Sequence, residues 1–101
     1  MVHLLVRHRV EDFEAWKAVF DDHMGMRKRF TEQSHRLFRS VGDPNELTLL
    51  FEFDDADRAR EFVESEDLRL KMKEAGVEGR PEFSFLDHEE TLETRRSPEA
   101  V

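Results

Sequence analysis

The sequence predicts an α+β fold, one four-stranded antiparallel sheet with two helices on one face, in the order strand, helix, strand, strand, helix, strand. Three observations predict it. Residues Val2 to Arg9 and Leu47 to Phe53 alternate between two faces with period two, as half-buried strands do. The stretch Phe13 to Phe30, FEAWKAVFDDHMGMRKRF, gathers Phe13, Trp16, Val19, Phe20, Met26 and Phe30 into one apolar stripe at helical spacing. The two halves also echo one another: LLVRHRVEDFEAWKAVF at Leu4 to Phe20 aligns with LLFEFDDADRAREFV at Leu49 to Val63 with small gaps. A doubled βαβ unit of this kind gives the ferredoxin-like arrangement.

At 101 residues the chain makes one domain with one modest core. Residues 1–87 carry the periodic pattern; 88–101 hold charges, a proline and one Leu, and read as a flexible or partner-draped tail. Charged residues make up 40% against 38% apolar, so a monomeric core is thin and association would help. A net charge of -8 with no basic stripe argues against nucleic acid and anionic membrane as partners. The absence of cysteine removes disulfides, thiolate metal sites and cysteine nucleophiles. The N-terminus, MVHLLVRHRV, is too short and too punctuated by charge for a signal peptide or membrane span, so a cytoplasmic location is expected.

In chain order, the first strand runs Val2 to Arg9. Val10 and Glu11 turn the chain, and Asp12 N-caps a helix from Phe13 to Phe30, with Glu14 in the first turn and Arg27, Lys28 and Arg29 in the last. Gly25 is its weak point. Thr31 to Ser34 connect to a second strand, His35 to Ser40. GDPNE at Gly42 to Glu46 makes a hairpin turn into the third strand, Leu47 to Phe53, which is apolar enough for the sheet centre. A second helix opens at Asp54 to Asp57 and breaks at Ser65, where the stripe Ala59, Phe62, Val63 gives way to Leu68, Met72, Ala75 in another phase. Gly76 stops it. After Gly79, Arg80 and Pro81, the fourth strand covers Glu82 to Asp87. On the other sheet face, Leu5 and Leu50, with Phe38 or Leu37, are too apolar for free exposure, and a second copy packed sheet to sheet would cover them.

Two polar residues break the first helix's stripe. His23 lies near its centre and Arg27 one turn on, where a purely structural helix would carry Leu or Ala, because both groups are costly to bury without partners. A neutral imidazole in an apolar pocket can take a proton from a phenol, and a guanidinium four residues away can hold the anion. The plainer alternative is that His23 caps a buried carbonyl and Arg27 pairs with Glu52 or another core carboxylate. Trp16, Phe20 and Phe30 of the same stripe, His8 at the strand end and Arg39 on the second strand are the candidate substrate-binding residues. With the pocket apolar, His23 is expected to be neutral at pH 7, with no carboxylate against it. His8, His23 and Glu52 could form a metal set, but no ligand spacing supports one, and no phosphate loop, nucleophile elbow or dinucleotide fingerprint appears.

The segments HRVEDFEAWKAVFDDHMGMRKRF (His8 to Phe30), RLFRSVGDPNELTLLFEFDDADRAREF (Arg36 to Phe62) and GRPEFSFL (Gly79 to Leu86) together resemble small bacterial and archaeal proteins of the dimeric α/β-barrel superfamily, grouped with antibiotic biosynthesis monooxygenase-like domains. The resemblance implies a ferredoxin-like protomer, paired through its sheet into a barrel, with a pocket between helices and sheet. Its characterised members include cofactor-free monooxygenases, haem-degrading enzymes and isomerases, and the first expectation for this chain is a monooxygenase-like activity without a cofactor on a small aromatic or polyketide-like substrate, for which the helix stripe offers His23 as base or hydrogen-bonding partner, Arg27 as anion holder and Trp16 as pocket wall. The haem-degrading members use an Asn, a Trp and a His, and the one Asn of this chain, Asn45, stands in a turn. Since one such fold hosts many chemistries, the alternative is a non-catalytic ligand-binding or structural dimer module.

Overall fold

The computed structural model describes residues 1–93. Strand β1 (Val2–Val10) leads into α1 (Phe13–Asp22) and α2 (Met24–Arg29); β2 (Glu32–Arg39) and β3 (Glu46–Phe53) follow, then α3 (Ala56–Glu64), α4 (Glu66–Glu74) and β4 (Val77–Leu86). The sheet is antiparallel in the order β2-β3-β1-β4, the ferredoxin-like order, with β1 and β3 in the centre. Alternation decides which side chains meet the helices. Val2, Leu4, Val6, His8 and Val10 of β1 and Leu47, Leu49, Phe51 and Phe53 of β3 are buried, while the residues between them face the other way. Phe20 of α1 and Phe62 of α3 both pack on Phe51, so the helices share one core.

Helix boundaries follow local chemistry. Asp12 accepts from the Glu14 amide, Asp55 accepts from the Asp57 amide, and Ser65 separates α3 from α4 by donating to the Phe62 carbonyl and accepting from the Leu68 amide. Gly76 ends α4 with a positive φ of 82°, and a Cβ there would stand 3.3 Å from Glu11 Oε2, so glycine is the fitting residue.

Three boundaries differ from the sequence reading by more than one residue. The first helix breaks at His23 rather than running to Phe30 or yielding at Gly25; the His23 backbone sits at φ −85°, ψ 2°. The second strand starts three residues early, at Glu32. The fourth starts at Val77, because Gly79, Arg80 and Pro81 form a bulge inside it instead of a preceding loop. Pro81 is tolerated because β4 is an edge strand. Leu37 faces the core, and Phe38 is the residue left half exposed on the open face.

Past Leu86, residues 87–93 take no helix or strand, and 87–91 line a cleft with His3, Ser34, Arg36, Leu50 and Glu52 on the open sheet face. Residues 94–101 of the expected tail lie outside the described residues. Among the described residues no helix is long and apolar enough to cross a membrane.

Gly25 stands within α2 with nothing inside 4 Å of where a Cβ would be. Gly25→Ala is therefore expected to raise the unfolding free energy by about 0.5–1 kcal/mol. The urea midpoint checks this; a lower midpoint would show that α2 relies on glycine's backbone freedom.

Candidate functional site

Between α1/α2, α4 and the sheet lies a cavity of about 40 Å³. The sheet contributes Val6, His8, Leu49, Phe51 and Phe83, the first helix pair Trp16, Val19, Phe20, His23 and Arg27, and the second pair Phe62, Leu68, Lys71, Met72 and Ala75. Five of the seven candidate residues therefore meet at one place: His8, Trp16, Phe20, His23 and Arg27.

Four of them form a ladder along one wall. The His8 ring meets the Trp16 ring edge-on at 5.7 Å, Trp16 stacks on Phe20 at 4.7 Å, and the Arg27 guanidinium lies 3.8 Å above the Phe20 ring. His8 is 5% exposed, and neither of its ring nitrogens has a hydrogen-bond partner. Burial without a compensating charge pushes its pKa down to about 4, so it is neutral at pH 7. His8 also faces the irregular stretch of the sheet: its neighbours Arg7 and Arg9 pair with Glu82 and Glu78, leaving Gly79, Arg80 and Pro81 opposite this one residue. Bulges of this kind recur beside functional groups.

Arg27 is 1% exposed. Its Nε donates to Glu32 Oε1 at 2.8 Å and its Nη1 to the Phe20 carbonyl at 2.8 Å, while Nη2 has no partner. Burial lowers its pKa, outweighing the opposite pull of Glu32 and Asp21. The partner is Glu32 and not Glu52, which points out of the open face towards His3 at 3.4 Å.

His23 does not match expectation. It is buried, but its Nε2 lies 2.9 Å from Asp67 Oδ2 and 2.8 Å from the Met26 sulfur. A carboxylate can only accept, so Nε2 carries the hydrogen and points at Asp67. The imidazole thus ties the α1/α2 junction to the first turn of α4, and the expected carboxylate-free base at position 23 is corrected to a helix-to-helix tether.

Phe30 and Arg39 do not line the cavity. Beyond the break at His23, Phe30 turns towards Phe62 at 5.8 Å. Arg39 ends an edge strand, donates to the Pro44 carbonyl at 2.9 Å and covers the Phe13 ring. Among the described residues no three His, Asp or Glu side chains gather to hold a metal ion. The sequence reading missed the α4 wall as well as Glu32 and Asp67. Leu68, Met72 and Ala75, at helical spacing, were its available signal.

No protein-family model matches the chain, and no curated protein does. Solved structures do match. SnoaB, a cofactor-independent oxygenase from Streptomyces nogalater, superposes with a TM-score of 0.73 at 18% identity, over 90% of this chain and 95% of that one. An antibiotic biosynthesis monooxygenase gives 0.64 at 14% identity over 89% and 100%, and a conserved protein from Methanosarcina mazei gives 0.68 at 11% over 87% and 92%. At these identities the likeness establishes the fold, the ferredoxin-like α+β fold, and not the chemistry.

Proposed function

We propose that the chain is a cofactor-independent monooxygenase-like protein that takes a small aromatic substrate into the cavity between the first helix pair and the sheet. His8 is the observation that carries this reading: a buried imidazole on an apolar cavity, with both ring nitrogens unpartnered. Leaving such a group unsatisfied costs stability, which a ligand hydrogen bond would recover. In an oxygenation without a cofactor, the electrons that reduce O₂ come from the substrate, which must first lose a proton. His8 then replaces His23 as the acceptor facing that proton, and Arg27 Nη2 holds the oxyanion. Trp16 and Phe20 supply flat walls.

A second reading, a ligand-binding module without turnover, is favoured by two observations. His23 is held by Asp67, and a His8 pKa of about 4 makes the imidazole a weak base. An anion beside His8 would raise that basicity on substrate binding. Oxygen uptake with a panel of hydroxylated single-ring arenes separates the two. Uptake by the parent that His8→Phe abolishes, with ligand binding retained, supports the enzyme; binding without uptake in both leaves the module.

The proposal includes a homodimer paired through the open sheet faces. Leu5 and Leu50 lie side by side there, and Phe38 is 51% exposed on the same face. Light scattering is expected to give about twice the 12.1 kDa chain mass. Leu50→Glu should halve it; a parent that runs as a monomer at micromolar concentration would refute the pairing.

A further inference from the structure

The chain carries 24 Asp and Glu against 16 Lys and Arg, yet no described acidic residue lines the cavity. Its polar lining is His8, His23, Arg27 and Lys71. His23 is occupied by Asp67 and Lys71 reaches Glu74, so the buried groups left without a partner are the His8 nitrogens and Arg27 Nη2. We infer that the ligand is a single planar ring bearing an anionic oxygen, a carboxylate or an acidic enol, that accepts a hydrogen bond from Arg27 Nη2, with the ring extending along the Trp16–Phe20 wall towards His8. This deepens the proposed function and rests on the cavity being its ligand site.

Four observations support the charge and the size. Glu32 meets the guanidinium on its Nε side and the Phe20 carbonyl takes Nη1, so Nη2 remains as a directed donor even though the ion pair is formally balanced. A charged donor bonds an anionic oxygen about twice as strongly as a neutral donor bonds a neutral acceptor. The balance is also incomplete, because burial penalises the guanidinium more than Glu32 and Asp21 compensate. As for size, 40 Å³ is below even the roughly 150 Å³ of a cavity that holds one benzene ring, so a single ring enters only as the lining side chains shift, and a fused multi-ring ligand needs the helices to part. The aromatic ladder from Trp16 to Phe20 supplies a flat face of single-ring scale.

Trp16 lines the cavity and is the one Trp in a chain with no Tyr, so its fluorescence reports occupancy without background. The probes are 4-nitrobenzoate, its neutral isostere 4-nitrobenzamide, and anthracene-9-carboxylate, titrated at pH 7.5. The expected result is Trp16 quenching by 4-nitrobenzoate at about tenfold lower concentration than by the amide, with the three-ring acid at least about tenfold weaker again. Arg27→Met alone leaves Glu32 buried and unpaired, so the test uses Arg27→Met combined with Glu32→Gln. That pair should bring the acid-to-amide ratio close to one while the amide still binds. Equal binding of acid and amide to the parent, or a preference that survives the double substitution, overturns the anionic ligand and leaves the proposed site standing. Tight binding of the three-ring acid overturns the single-ring limit. Failure of all three probes to quench overturns both this inference and the ligand site itself.

Discussion

Arg27→Met alone is expected to cost about 3–5 kcal/mol of stability, among the largest single losses available in this chain. Arg27 is 1% exposed and the Glu32 side chain 7%, so deleting the cation leaves a carboxylate away from water with only His35, at 3.4 Å, as a remaining polar neighbour. The Phe20 carbonyl also loses the donor on Nη1, and Phe20 loses the guanidinium over its ring. Adding Glu32→Gln should recover most of the loss, because a buried ion pair exchanged for neutral groups of similar shape is often close to neutral in stability. Urea unfolding of the parent, the single and the double variant reads this directly. If the single variant lost less than about 1 kcal/mol, Glu32 would have to reach water or another cation when Arg27 is gone.

Local chemistry made most of the fold legible. The break at Ser65 was readable because a capping hydroxyl and a change of stripe phase lie within a few residues of each other, and the strands around Leu4 and Phe51 were readable from alternation alone. What escaped depends on residues distant in sequence. Asp67 looks like an acidic first-turn residue of α4, and only the fold brings it 2.9 Å from His23, 44 positions away. Glu32 sits in the polar run TEQS, which hides a strand start, so the true partner of Arg27 passed for part of a connector. The early start of β4 was hidden in the same way by Gly79 and Pro81, loop residues by composition that here form the bulge opposite His8. The anomaly on the first helix did point at the cavity that the fold forms beneath it. It could not say which histidine would be left free, because a helix stripe shows which way a side chain faces and not what meets it there.

His8 should impose a pH dependence on stability that no surface histidine would. In the unfolded chain it binds its proton near the ordinary 6.5; in the folded protein burial holds it neutral until about pH 4. Between those values the unfolded state binds more protons than the native one, so stability falls as pH drops from 6.5 to 4 and is fully present above 6.5. A gap of about 2.5 pH units corresponds to about 3 kcal/mol. Carboxylates titrate near the lower end of this window too, so the measurement is the difference between the parent and His8→Leu, in which only the imidazole is missing. At pH 7 the Leu variant is expected to equal or exceed the parent, since it removes two buried nitrogens that have no partners. At pH 4 its advantage should grow by about 3 kcal/mol. Parallel stability curves for the two proteins from pH 7 to 4 would mean that the imidazole reaches a proton acceptor or solvent in the native state, and would end its case as the free polar group of the cavity. A converging ligand effect is expected on the same residue: a bound anion in the cavity favours the protonated ring and raises its folded-state pKa towards 6.5, so a saturating aromatic acid should make the parent's fall in stability smaller, end it at a higher pH and narrow its gap to the Leu variant.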